Sequence, residues 1–462
     1  MTVARDLAGF LARTAAADLP AQPIDHAAML IASTIASAAF GRGLDSAAII
    51  RDLARERGGR PDAAVWFEAG VKLPLAEAAQ VNAVMSDAAA CDDSDLRNIV
   101  HCGTPLTATS LAIAERTGAG GEDVLAAIVL GYEAAGRIGE AITPGFRRQG
   151  FHGCLVAIFA AAVAAARLLR LDADRMAQAI ALSATSIGGL AAAANTSVAR
   201  EYHAGLAAKL GIDAALAAER GFKAELGILE ARHGFFAVYG EVDPAVAAAA
   251  ILRDLGQSWD IVTDMAVKLV PGGHPHHALA EAAANAAREG GFAPEEIASI
   301  TLSRPGVTAL AEPLHPADLI GMAHSPGYFL AAGAADRDFS WAHATPAKIA
   351  DPAIHQLIDK VQVGPPPAVD AARYRQGATV TIRTKDGRSA TSTVFAPKGA
   401  GMLGIAWADI DAKYRALVPH ARLSGERIEA SLALVHDFRG VERVSALTEL
   451  LGVANSLREA AS

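Results

Sequence analysis

The stretch KLVPGGHPHHALAEA, residues 268 to 282, sets three histidines within four positions, His274 to His277, behind a Pro-Gly-Gly turn. Clustered imidazoles suit a metal, an acid/base centre or a polar helix start. Zinc fits poorly here, because neighbouring histidines on one turn rarely aim at a single ion and no Cys or carboxylate lies at a ligand spacing. A second concentration of titratable groups is CDDSDLRNIVHCGTP, residues 91 to 105, where adjacent carboxylates and a hydroxyl precede His101 in a stretch without clear periodicity. Three further polar clusters lead into apolar helices: RRQGFHGC with His152, NTSVAREYHAG with Arg200 and His203, and AHSPGYFLAA with His324 and Tyr328. A helix start offers free N–H groups and the positive end of the helix dipole, which favour an anion.

The elements that must carry these groups are mostly helical. Ala-rich patterns run over Asp25 to Phe40, Glu122 to Ala141, Cys154 to Arg167 and Tyr202 to Arg220, several of them apolar nearly all round, as in helices buried in a bundle or dimer. GCLVAIFAAAVAAARLL approaches membrane-spanning length. Its alanine content and the charges just before it indicate a core helix instead. Beyond about residue 270 the texture changes: ASITLSRPG alternates as a strand, and ATVTIRTKDGRSATSTVF reads as two strands around a Lys-Asp-Gly turn. GPPPAV is a stiff connector, and helical pattern returns after Pro397. The expected architecture is mainly α: a large all-helical domain over 1–269, a smaller inserted α/β lid domain over 270–397, and a return to the helical domain over 398–462.

Composition narrows the function. The chain has 462 residues, 52% of them hydrophobic, with a net charge of -9 and no run of Lys or Arg, which disfavours nucleic acid and anionic membranes as partners. Cys91, Cys102 and Cys154 are too few for a disulfide framework or thiolate metal site and read as buried thiols in a reducing cytoplasm. The N-terminal segment lacks a signal peptide's apolar core and reads as a first helix. GRGLDSA has no preceding strand, so no nucleotide-binding loop is assigned.

Taken in order, Asp92-Asp93-Ser94 with His101, GFHG with His152, REYHAG with Arg200, KLVP with His277, and HSPGY with Tyr328 resemble the MmgE/PrpD family, the fold of 2-methylcitrate dehydratase, cis-aconitate decarboxylase and iminodisuccinate epimerase. The resemblance covers nearly the whole chain. It implies a cofactor-independent site between a helical domain and a lid, in a homodimer acting on a small carboxylate; no metal is assigned, and a cytoplasmic location is expected from the cysteines. Lys268, Pro271 and His277 match the family's Lys-x-x-Pro...His pattern, while His274 and His276 have no fixed role there.

Abstracting a proton beside a carboxylate builds charge on oxygens that are already negative, so such a site needs cations there and a base with a pKa near the working pH. On this reasoning Arg200 and Lys268 clamp the carboxylates, His101 and His277 serve as base and acid, and His152 and Tyr328 donate to substrate oxygens. Asp92 orients a histidine or a loop; a capping or turn role for Asp92 and Asp93 is the alternative. The motifs depart from the family at Arg200, where Lys is usual, at Asp87, Ala90 and Cys91, and at His324, where an aromatic is common. A guanidinium binds charge without shuttling protons, so a substrate shaped differently from 2-methylcitrate is expected. The reaction is expected to be a dehydratase-like elimination, with epimerisation or decarboxylation through the same site as alternatives, and a non-catalytic dimeric helical scaffold as a third class.

Overall fold

Alanine has the highest helix propensity and a side chain small enough for helices to approach closely, so an Ala-rich chain favours many tightly crossed helices. The computed structural model describes residues 2–186 and 188–453. It divides into two compact units: Met1–Ala194, Val198–Val267 and the chain from Ile405 form the larger, and Asn195–Ser197 with Lys268–Gly404 the smaller.

The larger unit is helical. The helix Ala199–Glu219 packs on both Leu75–Ala88 and Cys154–Leu168, and Gly121–Ile142 lies along Cys154–Leu168 as well. Every residue of Cys154–Leu168 except Arg167 is buried, so this is the core helix expected from its composition. Arg167 extends along the apolar surface and donates to the Ala12 and Thr14 carbonyls at 3.0 and 2.9 Å, satisfying the end of the helix Val3–Arg13. The helix Ala21–Gly41 is long and apolar enough to cross a membrane, yet 89% of its apolar window is buried within the fold.

One element of this unit was hidden in the sequence. Asp93–Asp95 forms a short strand antiparallel to Met265–Val267, in the register Asp93↔Val267, Ser94↔Ala266 and Asp95↔Met265. Asp and Ser are poor strand formers, and local propensity predicts a loop. Pairing with an apolar strand distant in sequence overrides it.

The smaller unit is built on a four-stranded sheet ordered Val361–Val363, Ile297–Ser303, Ala378–Thr384, Ser389–Val394. The first pair is parallel and the others antiparallel. The last two strands are the hairpin around Lys-Asp-Gly. The helix His274–Gly290 covers these two strands and packs on Pro326–Asp336, enclosing Phe292, Ile300, Phe329, Val380 and Ile382 in one apolar core. The chain is thus mainly α with a smaller α/β region.

Candidate active site

In the larger unit the strand's two-residue period divides Asp92-Asp93-Ser94-Asp95 between two faces. Asp92 and Ser94 face His101: its Nδ1 lies 2.6 Å from Asp92 Oδ2, 3.3 Å from Ser94 Oγ and 2.7 Å from the Asp93 carbonyl oxygen. A carboxylate and a carbonyl can only accept, so Nδ1 carries the proton and Nε2 is left to act as a base. Asp93 and Asp95 point the other way. Asp93 Oδ1 accepts from the Gly103 N–H at 2.8 Å, and its other oxygen accepts from the Tyr132 hydroxyl at 3.3 Å, tying down the start of the helix Gly103–Thr117. Asp95 belongs to a buried charge cluster in which Arg97 meets Asp260 at 2.6 Å, Glu140 at 2.7 Å and Asp264 at 3.1 Å. Burial lifts Asp95 to about 6 against the pull of Arg97.

The loop between these anchors is strained. Ala90 and Ile99 hold φ at +52° and +54°, a conformation that a β-branched residue rarely adopts. Its fit on Asp93 is also tight, since a Cβ on Gly103 would stand 2.4 Å from Asp93 Oδ1 and 2.6 Å from Leu30 Cδ1. Gly103→Ala is therefore expected to cost about 1–3 kcal/mol through overpacking. Chemical denaturation checks this, and an unchanged midpoint would mean that the loop adjusts freely.

Beyond His101 the imidazoles form a chain. The His101 and His152 rings are 6.1 Å apart, His152 and His203 5.3 Å, and the Nδ1 atoms of His152 and His203 approach to 3.3 Å. Burial first, then His101, His203 and Arg200, push His152 well below its ordinary range. His203 is lowered by burial too, against Asp87. Both rings are thus neutral at neutral pH, one nitrogen donating to the other. Arg200 is held twice by Asp87, through Nε to Oδ2 at 3.0 Å and through a guanidinium N–H to the backbone carbonyl. The cation expected to clamp substrate is already ion-paired within the fold. Next to it Glu201 is buried, and desolvation, then Asp87, raise its carboxyl to about 7.

In the smaller unit, Lys268 and His277 are buried. His277 Nε2 donates to the Gly272 carbonyl at 3.3 Å. Burial, then the Lys268 charge, push His277 to about 3; burial takes the neighbouring His276 to about 3 as well. The His274 ring lies tilted beside His277, with centroids 4.7 Å apart. Tyr328 differs from its sequence-based role: its hydroxyl, expected to donate to substrate, donates to the His343 carbonyl at 3.0 Å, with the ring buried beside Phe329 and Phe339. The apolar run of the helix Pro326–Asp336 carries the ring into the core, where the His343 carbonyl accepts its hydrogen bond.

The two low-lying histidines carry a pH signature. Unfolding returns each from about 3 toward 6.5, so their contribution to stability is complete above the unfolded value and is lost as pH falls below it, by up to about 1.4 kcal/mol per pH unit for each ring. Urea midpoints taken between about pH 7.5 and about pH 5.5 should therefore fall less in His276→Asn than in the wild type. The comparison separates this effect from Asp95 and Glu201, whose raised values act in the opposite direction. Parallel slopes would contradict it.

Of the residues singled out in the sequence, the larger unit brings together Asp92, His101, His152 and Arg200, and the smaller unit Lys268 and His277. Sequence reasoning did not place His203, Cys154 or Glu201 in the site. His203 stands three residues after Arg200, one helical turn along the same face, and that spacing could have found it.

The larger unit thus sets a largely buried aspartate–histidine cluster in a mainly α fold. The sequence matches the MmgE/PrpD N-terminal domain over residues 5–246 and the MmgE/PrpD C-terminal domain over residues 271–437. The chain belongs to the MmgE/PrpD family. It is 27% identical over 398 residues to the human (Homo sapiens) cis-aconitate decarboxylase, covering 84% of this chain and 81% of that protein. The Mus musculus cis-aconitate decarboxylase is also 27% identical, over 84% of this chain and 80% of its own. That of Aspergillus terreus is 28% identical over 42% of each chain.

Proposed function

We propose that this protein is a cofactor-independent lyase that decarboxylates a small di- or tricarboxylate of the cis-aconitate type. The observation that carries the reading is His101, with Nδ1 fixed by Asp92 and the Asp93 carbonyl and Nε2 left for proton transfer. The cis-aconitate decarboxylases among its relatives support the choice of reaction. In such a reaction the C–C bond to the departing carboxylate breaks and its electron pair moves into the carbon framework toward a remaining carboxylate. A proton is then delivered to carbon. Charge develops on oxygen, where a cation stabilises it. On the family pattern Lys268 is assigned as that cation.

Glu201 favours a second reading, elimination of water. A buried carboxyl held at about 7 is partly protonated at neutral pH and is suited to protonate a departing hydroxyl.

Proton NMR in D2O with cis-aconitate, citrate-like and amino-dicarboxylate compounds tests both. Loss of CO2 with deuterium placed on carbon supports decarboxylation; formation or hydration of a double bond supports the dehydratase; exchange without net change supports an epimerase. His101→Ala is expected to reduce the signal by about a hundredfold or more, the lower end of what one positioned acid–base group contributes. No exchange with any compound would favour the silent scaffold.

A further inference from the structure

The place where His152, Cys154 and His203 meet is not needed by the proton transfers described above. We propose that these three residues form a binding site for a divalent transition metal of the zinc class. One ligand atom from each lies within 4.8 Å of the other two. Tetrahedral zinc, with bonds of about 2.0–2.1 Å to nitrogen and about 2.3 Å to sulfur, requires an N···N edge of about 3.3–3.4 Å and N···S edges of about 3.5–3.6 Å. The two Nδ1 atoms already stand 3.3 Å apart. With every donor pair within 4.8 Å, the thiol needs to move by no more than about 1.5 Å to complete a trigonal face.

The surroundings are built for this approach. His152 and Cys154 flank the start of the helix Cys154–Leu168, and His203 projects from Ala199–Glu219, which packs against it. The His152 N–H donates to the Gly189 carbonyl at 2.7 Å, and Ala191 N–H to the Gly150 carbonyl at 2.9 Å, so the two segments hold each other in register. Gly189 lies against two of the three donors. A Cβ there would stand 2.4 Å from Cys154 Sγ and 3.0 Å from His203 Nδ1, so a larger residue would fill the space in which they converge.

Binding is balanced simply. Both imidazoles give a lone pair from Nδ1, which breaks the hydrogen bond between them; the thiol gives its proton to solvent and binds as thiolate. Three protein ligands leave one position for water or a carboxylate, the pattern of an accessible rather than a closed structural zinc site. If the reading of His152 as a substrate donor holds, on which this consequence rests, an occupied site removes that donor and zinc inhibits turnover.

The test uses full-length protein freed of metal with a chelator and titrated with Co2+. One equivalent should give the visible bands of tetrahedral cobalt together with a thiolate-to-metal charge-transfer band, both lost on adding Zn2+. The charge-transfer band should persist in Cys91→Ser and Cys102→Ser and vanish in Cys154→Ser, and His203→Asn should weaken binding at least tenfold, with circular dichroism confirming the fold of each variant. A folded wild type that gives no charge-transfer band at one equivalent overturns the site, as does a band retained in Cys154→Ser. Because the readout is spectroscopic, absence of turnover on any carboxylate bears on the proposed reaction alone.

Discussion

Replacing His101 with alanine is expected to lower kcat on the active carboxylate by about 10³, within the 10²–10⁴ range of a positioned acid–base group, while KM changes little. His101 is largely covered, with its side chain 13% exposed, so circular dichroism of the variant accompanies the assay to show that the fold survives. Asp92→Asn separates base from positioner. An amide in place of the carboxylate can present a donor where Nδ1 needs an acceptor, so the ring loses its fixed orientation and tautomer. The variant should be slower than wild type by a smaller factor than His101→Ala, because the ring is kept but no longer held in one tautomer. Equal rates for wild type and His101→Ala, measured by product formation, would remove His101 from the chemistry.

The second large effect falls on stability. From the sequence, Arg200→Ala should chiefly raise KM for a carboxylated substrate. The structure adds another cost, because Asp87, with its side chain only 2% exposed, is the guanidinium's partner at 3.0 Å. Truncating the arginine strands a buried carboxylate, and breaking a buried pair from one side typically costs about 3–5 kcal/mol. Arg200→Ala is thus expected to lower the unfolding free energy by that amount, and Asp87→Ala combined with it to recover part of the loss. Denaturation of the two single variants and the double variant measures the coupling. Additive losses would show that Asp87 and Arg200 do not depend on each other.

Arg200 also illustrates what sequence can and cannot reveal. Its type and its place before an Ala-rich helix were legible. That its charge is already engaged was not, because Asp87 belongs to another helix, and the pairing depends on how Leu75–Ala88 crosses Ala199–Glu219. Tyr328 follows the same logic: a hydroxyl reads as a donor from sequence, whereas its actual acceptor, the His343 carbonyl, lies fifteen residues further along the chain.

The sequence by itself determined the local elements and the family. Helix extent follows from propensity and apolar periodicity, and the hairpin over residues 378–394 follows from two alternating runs around Lys-Asp-Gly. These signals are confined to neighbouring residues and survive without a fold. Only the tertiary structure decided the division of labour in Asp92-Asp93-Ser94-Asp95. The chain reads there as an irregular polar loop, yet pairing with Met265–Val267 imposes a two-residue period that turns Asp92 and Ser94 toward His101 and gives Asp93 to the helix start. It likewise decided that His203, on Ala199–Glu219, meets His152 and Cys154 at the start of Cys154–Leu168. The physical reason is the same in both cases: a side chain's chemistry is set by its residue type, but its direction and its partner are set by packing between segments far apart in the chain.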